Sequence, residues 1–81
     1  MKLSDLKEFI DSGRELEFNY SGKRFSITYG ELKGKEVISF CEFYQESTEV
    51  EDFESLLNIS RYGKTVAEML LATKDEDIDV Y

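Results

Sequence analysis

Leu16-Glu17-Phe18-Asn19-Tyr20-Ser21-Gly22-Lys23-Arg24-Phe25-Ser26-Ile27-Thr28-Tyr29 reads as a β-hairpin. Leu16, Phe18 and Tyr20 alternate with Glu17 and Asn19, and Phe25, Ile27 and Tyr29 alternate with Arg24, Ser26 and Thr28. A period of two puts each apolar set on one face of its strand. Ser21-Gly22 suits a two-residue hairpin turn, which needs positive φ and so favours glycine. Such a turn sets Phe18 opposite Phe25, Leu16 opposite Ile27, Asn19 opposite Arg24 and Glu17 opposite Ser26. A slip of one residue would place every phenylalanine against a polar neighbour and ruin both faces at once.

Upstream, Ser4-Asp5 has the form of a helix start, a hydroxyl cap with an acid in the first turn. Leu6, Phe9 and Ile10 recur at helical spacing, Leu3 tucks in before them, and Gly13 suits a left-handed helix end. Downstream, Gly30 to Lys35 reads as a loop and Glu36–Tyr44 as a third strand. That strand does not alternate cleanly. Val37, Ser39, Cys41 and Phe43 fall on one face, and Ile38, Phe40, Glu42 and Tyr44 on the other, so both faces ask for cover.

Gln45 to Val50 reads as a connection. Thr48-Glu49-Val50-Glu51 has capping-box spacing for a second helix, with Phe53, Leu56 and Leu57 inward and Val50 and Ile59 extending the stripe. Tyr62-Gly63 interrupts the chain. Thr65-Val66-Ala67-Glu68 repeats the box and opens a third helix to about Thr73, with Val66, Met69, Leu70 and Ala72 as its inward set. In the acidic tail 75–81, Ile78 and Val80 alternate with Asp77 and Asp79, a pattern that fits a short edge strand or a frayed end. The expected fold is α+β, a three-stranded antiparallel meander packed against three helices in the order α-β-β-β-α-α.

Eighty-one residues make one domain, spanning 1–81, with room for one core. A chain of this size buries roughly 60–65% of its unfolded surface, which leaves a narrow stability margin. An apolar content of 41%, with six Phe and five Tyr, is enough for a core despite 35% charge. The single cysteine, Cys41, excludes an internal disulfide and reads as a buried small hydrophobe in a reducing compartment. No histidine exists to activate it. The N-terminal residues show no apolar signal region and no run reaches membrane-spanning length, so the expected setting is cytoplasmic. Without secretion, the sequon Asn58-Ile59-Ser60 has no glycosylation to serve.

Charge is distributed unevenly. Residues 1–40 carry seven acids and seven bases, whereas residues 41–81 carry eleven acids and three bases, which accounts for the whole net charge of −8. Clustered acid repels nucleic acid and anionic membrane and attracts basic protein surfaces. Lys23-Arg24, Lys33 and Lys35 are too few, and too closely offset by acids, to neutralise a phosphate backbone.

Few motifs carry chemistry. Gly63-Lys64-Thr65 matches the end of a phosphate-binding loop, but the motif's earlier glycine is Asn58 and a helix rather than a strand precedes it. A tight turn feeding a capped helix explains the same residues. Asp75, Asp77 and Asp79 have the spacing of the first calcium-loop ligands without the glycine and closing glutamate such a loop needs. Surface carboxylates without burial have no reason to titrate near neutrality. The expectation is therefore no catalytic residue, no metal, no cofactor and no enzyme.

Glu42, Glu46, Glu49, Glu51, Asp52 and Glu54 form a run with no base among them, interleaved with Phe43, Tyr44 and Phe53. One explanation is that several of these acids suit a helix N-terminus and the rings are core. The other is a binding surface for a basic protein, with Phe40 and Tyr44 as anchors and the acids steering encounter.

Gly13-Arg14-Glu15-Leu16-Glu17-Phe18-Asn19-Tyr20 with Ser21-Gly22-Lys23, Phe40-Cys41-Glu42-Phe43-Tyr44, and Gly63-Lys64-Thr65 with Glu68 resemble a group of short uncharacterised proteins of Gram-positive bacteria and their mobile elements. The resemblance covers most of the chain; it implies a cytoplasmic setting and no catalytic residues. The sequence thus points to a small acidic interaction module, binding through strand three and the acids after it, as monomer or weak homodimer. The alternative is a nucleic-acid mimic that inhibits a DNA-binding protein. A homodimer that hides the apolar face of strand three is a third reading.

Overall fold

The computed structural model describes residues 1–81. Helix α1 (Leu3–Asp11) leads into the hairpin of β1 (Leu16–Tyr20) and β2 (Lys23–Leu32), followed by β3 (Lys35–Glu42) and β4 (Ser47–Val50). Helix α2 (Phe53–Leu57), a small hairpin of β5 (Ser60–Arg61) and β6 (Lys64–Thr65), and helix α3 (Val66–Ala72) come next. A 3-10 turn at Asp75–Asp77 ends in β7 (Ile78–Val80). The architecture is α+β, with a five-stranded antiparallel sheet ordered β4-β3-β2-β1-β7.

The β1–β2 hairpin has the expected register, with Phe18 opposite Phe25 and Leu16 opposite Ile27. Its turn has φ of 53° at Ser21 and 76° at Gly22, both positive as a type I′ turn requires. Lys33-Gly34 repeats the device with φ of 53° and 81°. The expected loop from Gly30 to Lys35 is therefore a second tight hairpin, and β2 runs on to Leu32.

Apolar register partners share one face. Phe18, Phe25 and Phe40 come from three neighbouring strands, and their ring centroids lie 5.4 Å (Phe18–Phe25), 5.5 Å (Phe25–Phe40) and 6.4 Å (Phe18–Phe40) apart. Leu6 and Ile10 of α1, Leu56 of α2, and Val66, Met69 and Leu70 of α3 pack on that face. The opposite face presents Glu17, Arg24, Ser26, Thr28, Ser39, Cys41 and Asp79, none of them buried.

Several expectations need correcting. The meander is three strands of a five-stranded sheet: Ser47–Val50, expected as a connection, pairs with β3, and the tail takes the edge-strand form of the two expected for it, as β7 against β1. Thr48 does not cap α2. It sits in β4, and Asp52 caps the helix by accepting the Ser55 N–H at 2.7 Å. Ser4 does not cap α1, which begins at Leu3 after an extended Lys2 with no side-chain cap. The third strand ends at Glu42, and Phe43 and Tyr44 belong to a turn. Its face with Ile38 and Phe40 is covered by helices, and its other face carries the buried Val37 beside Ser39 and Cys41. The Thr65–Glu68 capping box is present in full at α3.

Candidate functional site

The acidic run spans the turn after β3, the edge strand β4 and the start of α2, so it follows one border of the sheet. At one end, the β5–β6 hairpin folds over the sheet and leaves a depression of about 530 Å³ lined by Glu42, Glu46, Thr48, Arg61 and Tyr62. Arg61 donates to the Thr48 hydroxyl and holds its guanidinium 5.8 Å from the Phe40 ring centroid. Tyr62 donates to Glu42 Oε1 at 2.5 Å, and this bond holds the phenol above its ordinary pKa. Lys23 stands 4.8 Å over the same phenol ring.

At the other end lies an open groove of about 1160 Å³ between α1, the β2–β3 turn and the start of α2. Its walls carry Asp11, Glu31, Glu36, Glu51, Asp52 and Glu54, and its floor Ile10, Tyr29, Val37, Ile38 and Phe53. Lys7 is the one base in the lining, and it is already paired with Asp11 at 2.8 Å. Asp52 has its carboxyl held below the usual carboxylate range by the Ser55 backbone N–H, as expected of a helix N-cap.

Between the two depressions runs β4. Glu46 and Glu49 are exposed there, and of the six acids from Glu42 to Glu54 only Glu51 has a basic partner, Lys35 at 3.7 Å. An acidic border with so little neutralisation is an attractive field for a basic surface.

No family model, no curated protein and no solved structure matches the chain.

The two proposed aromatic anchors part company. Phe40 is completely buried beneath the helices and offers nothing to a partner; this corrects the sequence expectation. Tyr44 is 99% exposed at the tip of the β3–β4 turn, with φ of 69°. A left-handed conformation is costly for a non-glycine residue with a Cβ, so this turn carries a local backbone cost at Tyr44. Glu42 ends β3 on the helix-covered face and is half-buried against Tyr62.

Other motifs are absorbed by the fold. Gly63 closes the β5–β6 turn, and Thr65 caps α3. Asp79 binds Arg24 at 2.7 Å, and Asp75 stands 3.3 Å from the Met1 ammonium. The Cys41 thiol donates to the backbone oxygens of Glu42 and Gln45 at 3.0 and 3.2 Å. No helix is long and apolar enough to cross a membrane. Sequence reading missed Asp11, Glu31 and Glu36 as groove walls, because their contribution depends on how α1 and the β2–β3 turn meet α2.

Proposed function

We propose that this chain is a non-enzymatic interaction module that binds a basic protein surface along the β4 border, through Tyr44, Glu46, Glu49, Glu51, Asp52 and Glu54. The observation that carries this reading is a run of six carboxylates of which only Glu51 has a basic partner, beside a groove with an apolar floor. Carboxylates around an apolar floor steer a basic partner and also offer buried contact, which charge alone does not supply. Tyr44 adds an aromatic ring at the rim.

The nucleic-acid mimic is the weaker alternative. Mimicry needs carboxylates in a regular array on one face, as phosphates are spaced along a strand. Here the acids of the second half, Glu68 of α3 apart, divide between the β4 border and the 75–79 segment, which lies at the opposite side of the sheet.

The test is affinity capture from the native cell extract with wild type, Tyr44→Ala and the double variant Glu46→Lys/Glu49→Lys. A specific protein held by wild type at moderate salt and lost by both variants supports the reading. Equal retention by all three folded chains overturns it. Displacement of the captured protein by DNA, steep in salt, would favour the mimic.

A further inference from the structure

The outer edge of β4 carries backbone groups without partners, and the register identifies them. Phe43 donates its N–H to the Arg24 carbonyl at 2.9 Å, which makes Arg24 and Phe43 a hydrogen-bonded pair at the end of the β2–β3 ladder. Such pairs alternate in an antiparallel ladder, so Cys41 and Ser39 also turn their backbone groups toward β2. Phe40 and Ile38 turn theirs toward β4, where they face Thr48 and Val50. Ser47 and Glu49 are left with N–H and C=O groups directed away from the sheet.

Sheet edges of this kind are normally blunted by proline, lysine, a bulge or a covering element. β4 contains no proline or lysine, and its register runs without a bulge from Cys41 opposite Ser47 to Ile38 opposite Val50. Its protection is negative charge: Glu49 within the strand, with Glu46 and Glu51 at its ends. That charge turns away the same edge of a second copy, and it turns away β7, whose segment carries Asp77 and Asp79. It does not turn away a basic strand. The opposite edge is the poorer acceptor, because β7 is three residues long and Asp5 and Phe9 of α1 stand beside its Ile78 and Val80.

We infer that β4 accepts an extended basic segment of a partner protein as an added strand of the sheet. The segment alternates: lysine or arginine on the face of Glu49, apolar side chains on the face of Thr48 and Val50. Main-chain bonds to Ser47 and Glu49 supply affinity, and the alternation supplies specificity. This inference rests on the β4 border being a docking surface for a basic protein and adds the geometry of docking.

The probe is a seven-residue peptide alternating lysine and valine, together with the same peptide N-methylated at alternate amides to block one edge. Amide hydrogen exchange of the full chain should slow about tenfold or more at Ser47 and Glu49 when the first peptide binds, the scale of one added hydrogen bond. Thr48 and Val50 are already paired to β3 and should change less. The N-methylated peptide should bind about tenfold more weakly at equal charge. Ser47→Pro removes an outward donor without touching the charge or the β3–β4 bonds, and should weaken the first peptide similarly. If that variant fails to fold, the two peptides decide the matter alone. Equal binding of both peptides with unchanged exchange at Ser47 and Glu49 overturns strand addition while leaving basic docking in place. Failure of both peptides to bind at low salt overturns the docking reading as well.

Discussion

Arg24 reaches across β1 to Asp79 at 2.7 Å and so ties the second strand to the last. On the way its guanidinium takes Glu17 at 2.8 Å and Asn19 at 3.1 Å, and it lies 5.7 Å from the centroid of the Phe43 ring. The bonds to Asp79 and Glu17 raise its pKa above the ordinary arginine value. Without this clasp β7 has three residues of ladder and one buried side chain, Ile78.

Arg24→Leu should therefore loosen β7 before it unfolds the domain. Faster amide exchange at Asp79 and Tyr81, with the β2–β3 amides unchanged, is the expected result. The Arg24–Asp79 coupling in a double-mutant cycle should be about 0.5–1 kcal/mol, because Asp79 is about half exposed and solvent screens the pair. Uniform acceleration across the sheet would mean that β7 is part of the cooperative core.

Phe40→Ala and Tyr44→Gly should move stability in opposite directions. Phe40 is stacked between Phe25 and the helices, so its truncation should cost about 3–5 kcal/mol. Tyr44 makes an edge contact with Phe43 but holds a positive φ that glycine adopts freely. Tyr44→Gly should gain a few tenths to about 1 kcal/mol, read as a higher thermal midpoint. If the ring is an anchor, the same variant loses its partner. A stabilised variant with undiminished capture would show that the strain serves no binding.

Legibility followed locality. The β1–β2 hairpin was readable because both strands alternate and one dipeptide sets the register. The Thr65–Glu68 box was readable because its bonds span three residues. Thr48-Glu49-Val50-Glu51 has the same spacing and became a strand instead. Val50 and Thr48 gain more by pairing with Ile38 and Phe40, contacts that no local pattern records. Phe40 and Tyr44 share parity in the sequence, but β3 stops at Glu42 and the left-handed Tyr44 breaks the alternation that joined them. The second turn, Lys33-Gly34, was hidden by exposed polar strand ends at Glu31 and Glu36, which carry no apolar period. Of the candidate site, the charge was legible; the outward backbone groups of Ser47 and Glu49 were not, since they depend on register.

The α3 capping box makes an acid-side prediction. Glu68 Oε1 accepts the Thr65 N–H at 3.0 Å while Thr65 Oγ1 accepts the Glu68 N–H at 3.2 Å. The Thr65 backbone bond holds Glu68 below the usual carboxylate range. A carboxyl depressed in the folded state stabilises it above the unfolded value, about 4.3, and that stabilisation fades as pH falls through the folded value. Glu68→Gln should therefore lose stability at neutral pH and approach wild type in acid. Thr65→Ala should cost about 0.5–2 kcal/mol at neutral pH. Parallel thermal-midpoint curves against pH for wild type and Glu68→Gln would contradict the role given to this bond.

Tyr29 makes the alkaline counterpart, and its two causes can be separated. Its hydroxyl donates to the Arg14 carbonyl at 2.7 Å at the edge of the acidic groove. Burial raises its pKa first, followed by the nearby charges of Glu15 and Asp11. A phenol raised in the folded state favours folding fully below the unfolded value, about 10, and the advantage is lost as pH rises through the folded value. Tyr29→Phe should remove that alkaline slope while losing one hydrogen bond, about 1 kcal/mol at neutral pH. Salt screens the two carboxylates but leaves burial untouched. An ultraviolet titration at rising ionic strength should therefore lower the Tyr29 pKa part of the way and then level off above the free value. A complete return would make the carboxylates the whole cause, and no response to salt would make burial the whole cause.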